Sequence, residues 1–202
     1  MLLRVHRILY KTKVEGPGTR CCIWVQGCSI HCKGCGNKET WSFEGGQLID
    51  TDKIYNMINS RKEIEGVTFL GGEPFEQATA LYDLGLKVKN LGLSVVAFTG
   101  YTYDHILKCN LKPWNDLLSI TDLLIDGPFE EDKFDLSRPW VGSSNQSYRF
   151  LTTRYKYLES NLSSIKNKVE IRLNSNGTIF INGMGDFRYI KKQFEDLEEI
   201  DK

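Results

Sequence analysis

The chain has 202 residues, 41% of them hydrophobic and 26% charged, and its 26 basic residues balance its 26 acidic ones. This length and composition suit one globular domain, and a net charge of zero argues against nucleic-acid or membrane partners. The sequence has no pattern of a secretory signal and no run of roughly 20 apolar residues that would span a membrane. Six cysteines in such a chain indicate free thiols or metal ligands, so we expect a cytoplasmic protein.

The first predicted elements alternate between strand and helix. A short apolar strand at 23–26 runs directly into a loop that contains three cysteines. A helix is predicted next, because Ile54, Met57 and Ile58 recur at helical spacing after the possible caps Asp50 and Thr51. A buried strand at 67–70 follows and ends in the turn Gly-Gly-Glu-Pro at 71–74.

The same alternation continues through the middle of the chain. A second helix is predicted because apolar residues recur on one face, at Ala78, Leu81, Leu84 and Val88. Gly92 is predicted to end it. Strands at 93–98 and 123–125 follow, with a helical segment between them. Strands separated by helices predict a parallel sheet, and polar clusters after each strand fall where α/β folds place their sites. The units are too few for a closed eight-stranded barrel, so we predict an α/β fold with a partial, open β/α barrel.

The last fifty residues have a different pattern. Segments 169–173 and 178–181 alternate in hydrophobicity around Asn-Ser-Asn-Gly at 174–177, which predicts a hairpin. Phe187, Ile190 and Phe194 then recur at helical spacing before an acidic end. We therefore predict a core domain at 1–150 and a C-terminal hairpin and helix extension at 151–202, packed on the same domain.

The strongest chemical signal is the loop Cys28-x3-Cys32-x2-Cys35. Three cysteines within eight residues favour a metal or cluster site over a disulfide pattern. A [4Fe–4S] cluster held by three cysteines leaves one iron free to bind another molecule. A closed zinc site needs four ligands and remains the alternative, with His31 as a possible fourth ligand.

The other three cysteines are further candidates for a fourth ligand. Cys21 and Cys22 lie in the apolar strand, and Cys109 is isolated in a polar segment. We expect structural roles for all three, and the apolar neighbours of Cys21 and Cys22 favour buried thiols that pack as small apolar groups.

Several motifs together carry a resemblance to a known family: Gly16-Pro-Gly-Thr-Arg20, the cysteine loop with Asn37, Thr40 and Trp41, and Gly71-Gly72-Glu73-Pro74. Over roughly residues 1–150 they resemble the radical S-adenosylmethionine (SAM) superfamily, within it the activating enzymes of glycyl-radical proteins. Gly34, Phe98-Thr-Gly-Tyr101, Asp126-Gly127 and the segment 139–146 are most similar to the activating proteins of anaerobic ribonucleotide reductase. Gly36, Val141 and the tail depart from that pattern.

The resemblance implies one [4Fe–4S] cluster on Cys28, Cys32 and Cys35, and SAM as the second cofactor. It implies reductive cleavage of SAM to a 5′-deoxyadenosyl radical, which generates a glycyl radical on a large partner enzyme, with flavodoxin or ferredoxin as the electron donor. It further implies a set of cofactor-binding residues: Gly34, Cys35, Gly36, Gly71, Gly72, Glu73 and Thr99. For the glycines and for Glu73, general chemistry gives a reason for cofactor binding that does not depend on the family. Glycines without a Cβ let backbone approach a ligand closely, and Glu73 can accept a hydrogen bond from an ammonium group.

Other functions and roles stay open at the level of sequence. A radical SAM enzyme acting on a small molecule, such as a deazapurine precursor, or on a peptide is one alternative. An electron carrier or a structural zinc protein is another, and residues 71–74 can also be a plain strand-to-helix turn. Arg20 is predicted to pair with a carboxylate in the site or to form a surface ion pair. We expect Trp41 to pack under the cysteine loop and residues 143–146 to shape a loop.

Overall fold

A mixed sheet flanked by helices organises the computed structural model, which describes residues 1–186, 189–190 and 192–193. The strands are β1 (Leu2–Thr12), β2 (Arg20–Val25), β3 (Gln47–Asp50), β4 (Gly66–Gly71), β5 (Ser94–Thr99), β6 (Leu123–Asp126), β7 (Ser147–Phe150), β8 (Val169–Leu173) and β9 (Ile179–Gly183). The α-helices are α1 (Thr51–Asn59), α2 (Ala78–Asn90), α3 (Tyr103–Cys109) and α4 (Lys112–Ile120). Short 3-10 helices lie at Lys38–Thr40, Pro74–Gln77, Glu131–Lys133, Thr153–Leu158 and Leu162–Ser164.

The parallel centre of the sheet follows the predicted alternation of strand and helix. In the order β3-β1-β2-β4-β5-β6-β7, strands β2, β4, β5 and β6 are mutually parallel. Antiparallel strands, which the sequence did not predict, flank this centre: β1 and β3 on one side and β7 on the other. The α/β class is confirmed, and no closed barrel forms among the residues that the structure describes.

Helix boundaries match the predicted capping signals. The Asp50 carboxylate accepts a hydrogen bond from the Asp52 amide at 2.8 Å and caps α1, which satisfies one of the donors left free at a helix start. Helix α2 ends just before Gly92, whose φ of +77° is favourable only for glycine. None of the helices in the described part of the chain is long and apolar enough to cross a membrane.

One face of the sheet packs against the helices and forms the main core. Because strand residues alternate between faces, Cys21, Ile23 and Val25 of β2 point to this side and are fully buried. They pack in one cluster with residues of α2 such as Leu81 and Leu84.

The opposite face, which we call the helix-free face, is covered by loops and by short 3-10 helices, among them the one at Thr153–Leu158. Cys22, Trp24 and Leu70 form a small apolar cluster there. Next to them, apolar residues of β5 and β6 pack against Tyr155 and Leu158 of the 3-10 helix at Thr153–Leu158. A sheet with apolar residues on both faces must be covered on both, and Trp140, Val141, Tyr155 and Leu158 supply part of the second cover.

The predicted hairpin is present as β8 and β9. Leu173 pairs with Ile179, and the Asn174 amide donates to the carbonyl of Thr178 at 2.9 Å across the turn. Gly177 has a φ of +83°, the conformation for which such a turn selects glycine. The helix predicted from Phe187, Ile190 and Phe194 lies largely outside the described residues, which include Ile190 but neither phenylalanine.

Candidate active site

A cavity of about 470 Å³ opens at the carboxyl ends of β2, β4, β5 and β6. The loop after each of these strands contributes to its wall, as expected for parallel strands whose carboxyl ends meet at one edge. All the site residues predicted from sequence line this one cavity: Cys28, Cys32, Gly34, Cys35, Gly36, Gly71, Gly72, Glu73 and Thr99.

The cysteine loop is fixed to the sheet at its first cysteine. The amides of Gly27 and Cys28 donate to the carbonyls of Thr40 and Trp41, at 2.7 and 3.1 Å, which closes the loop at its base. Cys28 is buried, whereas Cys32 and Cys35 are half-buried. Burial raises the pKa of Cys28 and of Cys32, and backbone N–H donors oppose this rise at both sulfurs.

The three thiols fit the requirements of a cluster held by cysteine. They line the same cavity, and the Asn37 amide donates to the sulfur of Cys35 at 3.4 Å. Backbone donors of this kind stabilise thiolate sulfur around iron–sulfur clusters.

The single-ion zinc alternative has weaker support in the geometry. In the described residues, no three His, Cys, Asp or Glu side chains are spaced to hold one metal ion. A cluster of four iron atoms spans more room than one ion and needs its cysteines farther apart. His31, the possible fourth zinc ligand, stacks on Trp41 with ring centroids 4.4 Å apart.

Glu73 connects two of the strand ends that border the cavity. Its Oε1 accepts hydrogen bonds from the Phe75 amide at 2.9 Å and the Thr99 hydroxyl at 2.8 Å, and its Oε2 accepts from the Gly100 amide at 2.8 Å. Burial raises the pKa of Glu73 from 4.5 to about 7, against the opposing effect of these donors. A carboxylate offers about four acceptor positions, so Oε2 retains capacity for one more donor from the cavity.

The two glycines before Glu73 are required by packing within the protein. A Cβ on Gly71 would lie 2.7 Å from the Cα of Trp24, and one on Gly72 would lie 2.3 Å from the carbonyl oxygen of Gly27. The turn therefore presses against the end of β2 and the start of the cysteine loop. Pro74 begins the 3-10 helix that Glu73 caps, so the turn is a strand-to-helix connection as well as a wall of the cavity.

Both predicted roles of Arg20 are wrong. Its side chain is fully buried and is neither at the surface nor paired with a carboxylate. The guanidinium donates to the Thr68 hydroxyl at 2.7 Å, the Tyr155 hydroxyl at 2.8 Å, the Pro17 carbonyl at 3.0 Å and the Ser94 hydroxyl at 3.1 Å. The alternation of β2 places Arg20 on the helix-free face, where the extension buries it among neutral acceptors.

The remaining cysteines lie away from the cavity. Cys21 and Cys22 are fully buried in β2, and burial raises the pKa of Cys21 to about 12, so neither is a reactive thiol. Cys109 is exposed on α3, with its sulfur 3.4 Å from Nε2 of His105.

The loop at 143–146 has the shaping role expected for it. The Gln146 side chain accepts from the Gly142 amide at 2.8 Å and donates to the Gly127 carbonyl at 3.2 Å. Asn145 donates to the Pro128 carbonyl at 2.7 Å. These side-chain amides hold together two loops at the edge of the cavity.

The sequence did not reveal two further parts of the cavity wall. One is apolar and comes from loops without periodicity: Phe129, Phe134 and Leu136. The other is the segment 183–186, which follows the hairpin. The hairpin itself was predictable from its turn, but no local pattern shows where a hairpin docks.

Comparisons with known proteins identify the family. A family model described as a 4Fe-4S single cluster domain matches residues 14–149. Proteins named anaerobic ribonucleoside-triphosphate reductase-activating protein are 36% identical over 146 residues in Pasteurella multocida, covering 68% of this chain and 91% of the relative. The relative in Escherichia coli K12 is 34% identical over 141 residues, which cover 66% of this chain and 89% of the relative. The relative in phage T4 is 30% identical over 140 residues, which cover 66% of this chain and 85% of the relative.

Among solved structures, QueE from Escherichia coli matches with a TM-score of 0.43 and 20% sequence identity. The match covers 50% of this chain and 54% of the QueE chain. The family assignment does not depend on that partial overlap. The relatives match most of their own length and the 4Fe-4S domain model spans the cysteine loop, which confirms the resemblance stated from the motifs. The chain therefore belongs to the family of anaerobic ribonucleoside-triphosphate reductase-activating proteins.

Proposed function

We propose that this protein is a radical SAM activating enzyme that generates a glycyl radical on anaerobic ribonucleoside-triphosphate reductase. The observation that carries the proposal is the convergence of three cysteines, the Gly-Gly-Glu turn and Thr99 on one cavity. The relatives of this chain are named for the same activation. The proposed architecture is a partial, open β/α barrel at 1–150, with residues 151–202 as an extension packed on it.

Each group of residues has a role in this proposal. Cys28, Cys32 and Cys35 hold one [4Fe–4S] cluster, and the backbone at Gly34, Gly36, Gly71 and Gly72, together with Glu73 and Thr99, binds SAM. When bound, the two cofactors supply one-electron cleavage of a carbon–sulfur bond. The hydrogen atom taken from a backbone glycine of the reductase would leave in 5′-deoxyadenosine, and the unpaired electron would stay on the glycine. Flavodoxin or ferredoxin supplies the electron.

The chain's own side chains orient the second cofactor and keep water out. Glu73 accepts a hydrogen bond from the ammonium group of SAM at the position left open on Oε2, while Thr99 and the Phe75 amide hold Oε1 in place. Apolar residues around the cavity, among them Leu70, Phe98 and Phe129, exclude solvent from the reacting groups.

The test is made on the anaerobically reconstituted protein. With dithionite or reduced flavodoxin we expect conversion of SAM to 5′-deoxyadenosine and methionine. On adding the reductase, a doublet electron paramagnetic resonance signal should appear on it and disappear when its acceptor glycine becomes alanine. If deoxyadenosine instead forms in step with modification of a small molecule or a peptide, and the reductase acquires no radical, the proposal is wrong.

A further inference from the structure

The C-terminal extension reaches the candidate active site. Residues 183–186, which we call the rim segment, line the same cavity as the three cysteines and Glu73. The rim segment lies beyond the family model, which ends at residue 149. The relatives match 85–96% of their own lengths but only 66–71% of this chain, so about a third of this chain lies outside each match.

The base of the hairpin is anchored to the core by a buried carboxyl group. Oε1 of Glu15 accepts hydrogen bonds from the Gly183 amide at 2.7 Å and from the side-chain amide of Asn182 at 3.1 Å. Asn182 also donates to the hydroxyl of Thr12 at 3.1 Å. All four residues are buried, so these bonds fix the end of β9 at the point where the rim segment begins.

The backbone of the rim segment has a defined path. Gly183 has a φ of +106°, and a Cβ there would lie 2.2 Å from the carbonyl oxygen of Lys168, so only glycine fits. The Met184 amide donates to that same carbonyl at 3.1 Å. The hairpin is further held by Phe180, which meets Trp24 edge-on at 6.3 Å between ring centroids.

The position of the rim segment decides what it can do. A hydrogen atom moves between carbons only at near-contact distance, so the acceptor backbone must enter this cavity. The buried wall is occupied by Glu73, Thr99 and Cys28, whereas Met184 is only partly buried and contacts both cavity and solvent. Met184 is an unbranched side chain that adapts to the shape of an apolar partner.

We propose that the rim segment forms one side of the entrance for the glycine-bearing segment of the reductase, and that Met184 contacts that segment. The inference rests on the proposed function and adds the partner's contact site to it. In this protein the extension therefore takes part in selecting the acceptor, while the cysteine loop and the Gly-Gly-Glu turn carry the cofactors.

The direct test is a photo-crosslink. p-Benzoylphenylalanine is placed at position 184 in the full chain, and in a control chain at Leu173, which lies at the far end of the same hairpin and is 74% exposed. Each protein is irradiated with the purified reductase from the same genome. We expect position 184 to crosslink to the peptide that contains the acceptor glycine, and position 173 not to. Crosslinks from 184 to another region, or none, would overturn the proposal.

The second test separates acceptor contact from cofactor binding. For Met184→Ala and Met184→Trp, glycyl-radical formation is measured against reductase concentration, and deoxyadenosine formation is measured without the reductase. We expect about a five- to tenfold rise in the reductase concentration that gives half-maximal activation, as for loss of a central interface contact, and a clearly smaller change in uncoupled cleavage. Leu173→Ala should behave as the wild type.

The outcomes distinguish this inference from the proposed function. Equal losses in activation and uncoupled cleavage would place Met184 in the SAM site, and unchanged activation would remove it from the entrance. Either result overturns the inference while the wild type still makes the glycyl radical. A wild type that cleaves SAM but leaves no radical on the reductase contradicts the proposed function itself.

Discussion

Glu73 combines two roles in a single side chain. It joins the ends of β4 and β5 through bonds to Phe75, Thr99 and Gly100, and it lines the cavity where a cation is expected to bind. Its burial raises the pKa of the carboxyl group to about 7, so this group titrates near neutral pH in the cofactor-free protein. The carboxyl group that joins the two strand ends is therefore the same group that we propose binds SAM.

The first prediction concerns the pH dependence of stability in the cofactor-free protein. Because folding raises the pKa of Glu73 from 4.5 to about 7, its protonated form contributes stability that is complete below pH 4.5 and is lost as the pH rises to about 7. Glu73→Gln removes this titration. Urea unfolding at pH 5 to 8 should show that the wild type loses stability relative to Glu73→Gln as the pH rises. A constant difference between the two would contradict the raised pKa.

The second prediction concerns cluster ligation. Replacing Cys28, Cys32 or Cys35 with alanine should abolish the binding of about four iron and four sulfide per chain. Cys109→Ala is the matched control, because this thiol is exposed and lies on α3 away from the cavity. Iron and sulfide analysis after anaerobic reconstitution gives the result. Loss of the cluster in Cys109→Ala would show that the ligand assignment is wrong.

At the residue scale, a site could be predicted from sequence where its ligands lie close together along the chain. The spacing of the three cysteines indicated a metal or cluster site, whereas the role of the Gly-Gly-Glu turn came from the resemblance to the family, and both line the same cavity. Arg20 was misjudged because its acceptors come from distant segments, including Tyr155, 135 residues later. A buried guanidinium satisfied by neutral groups has no local sequence signature.

At the scale of elements, the hairpin depends on a few buried polar contacts for its position. Asn182 and Gly183 converge on Glu15, while the far end of the hairpin is exposed, as the 74% exposure of Leu173 shows. The buried polar contacts lie at one end, next to the rim segment, while Phe180 on Trp24 and Arg172 on the Lys11 carbonyl hold the strands nearer the turn. Loosening them should release the hairpin without unfolding the parallel sheet.

The third prediction tests this anchor. Asn182→Ala removes the side-chain amide that donates to Glu15 and Thr12. We expect a cost of about 1–3 kcal/mol, seen as roughly five- to a hundredfold faster hydrogen exchange of the β8 and β9 amides. Exchange in β4 and β5 should be unchanged. Ser175→Ala, at the exposed turn of the same hairpin, is the control, and equal exchange in both variants would show that Asn182 does not anchor the hairpin.

In the mixed sheet, buried strands could be predicted from the sequence, whereas partly exposed strands could not. Strands β2, β4, β5 and β6 are short and buried, and each was predicted within a few residues. Strands β1 and β7 were missed because apolar and basic residues are interspersed in both, so neither shows an apolar run of strand length. The predicted start of α1 at Asp50 and the predicted end of α2 before Gly92 are confirmed, because such signals act within one turn of the helix.

At the scale of the whole molecule, the sheet is stabilised from two sides by different parts of the chain. Helices between the strands cover one face, and the other is covered by Trp140, Val141 and the described residues from Tyr155 to Ile165. Tyr155 is the centre of the second cover, since its hydroxyl lies 2.8 Å from Nη1 of Arg20 and 2.6 Å from the hydroxyl of Ser94. The extension thus completes the burial of a charged group in the core.

The fourth prediction measures this coupling. Tyr155→Phe removes one acceptor from the buried Arg20 guanidinium with little change in volume. A hydrogen bond to a charged group is worth about 1.5–3 kcal/mol, and we expect that loss in the free energy of unfolding. Tyr157→Phe, in the same 3-10 helix but 62% exposed, should change stability by less than about 0.5 kcal/mol. Equal effects in the two variants would contradict the coupling.

The burial of Arg20 by Tyr155 also sets the order in which the molecule is completed during synthesis. The two residues are 135 positions apart, which corresponds to roughly 7–27 s at a ribosomal rate of about 5–20 residues per second. Over that interval the parallel strands can pair and recruit their helices, but Arg20 lacks Tyr155 and Trp24 lacks Phe180 on the nascent chain. Contacts this distant in sequence form late and slowly. The step most exposed to aggregation is therefore the arrival of the final quarter of the chain, and slower translation there lengthens that exposure.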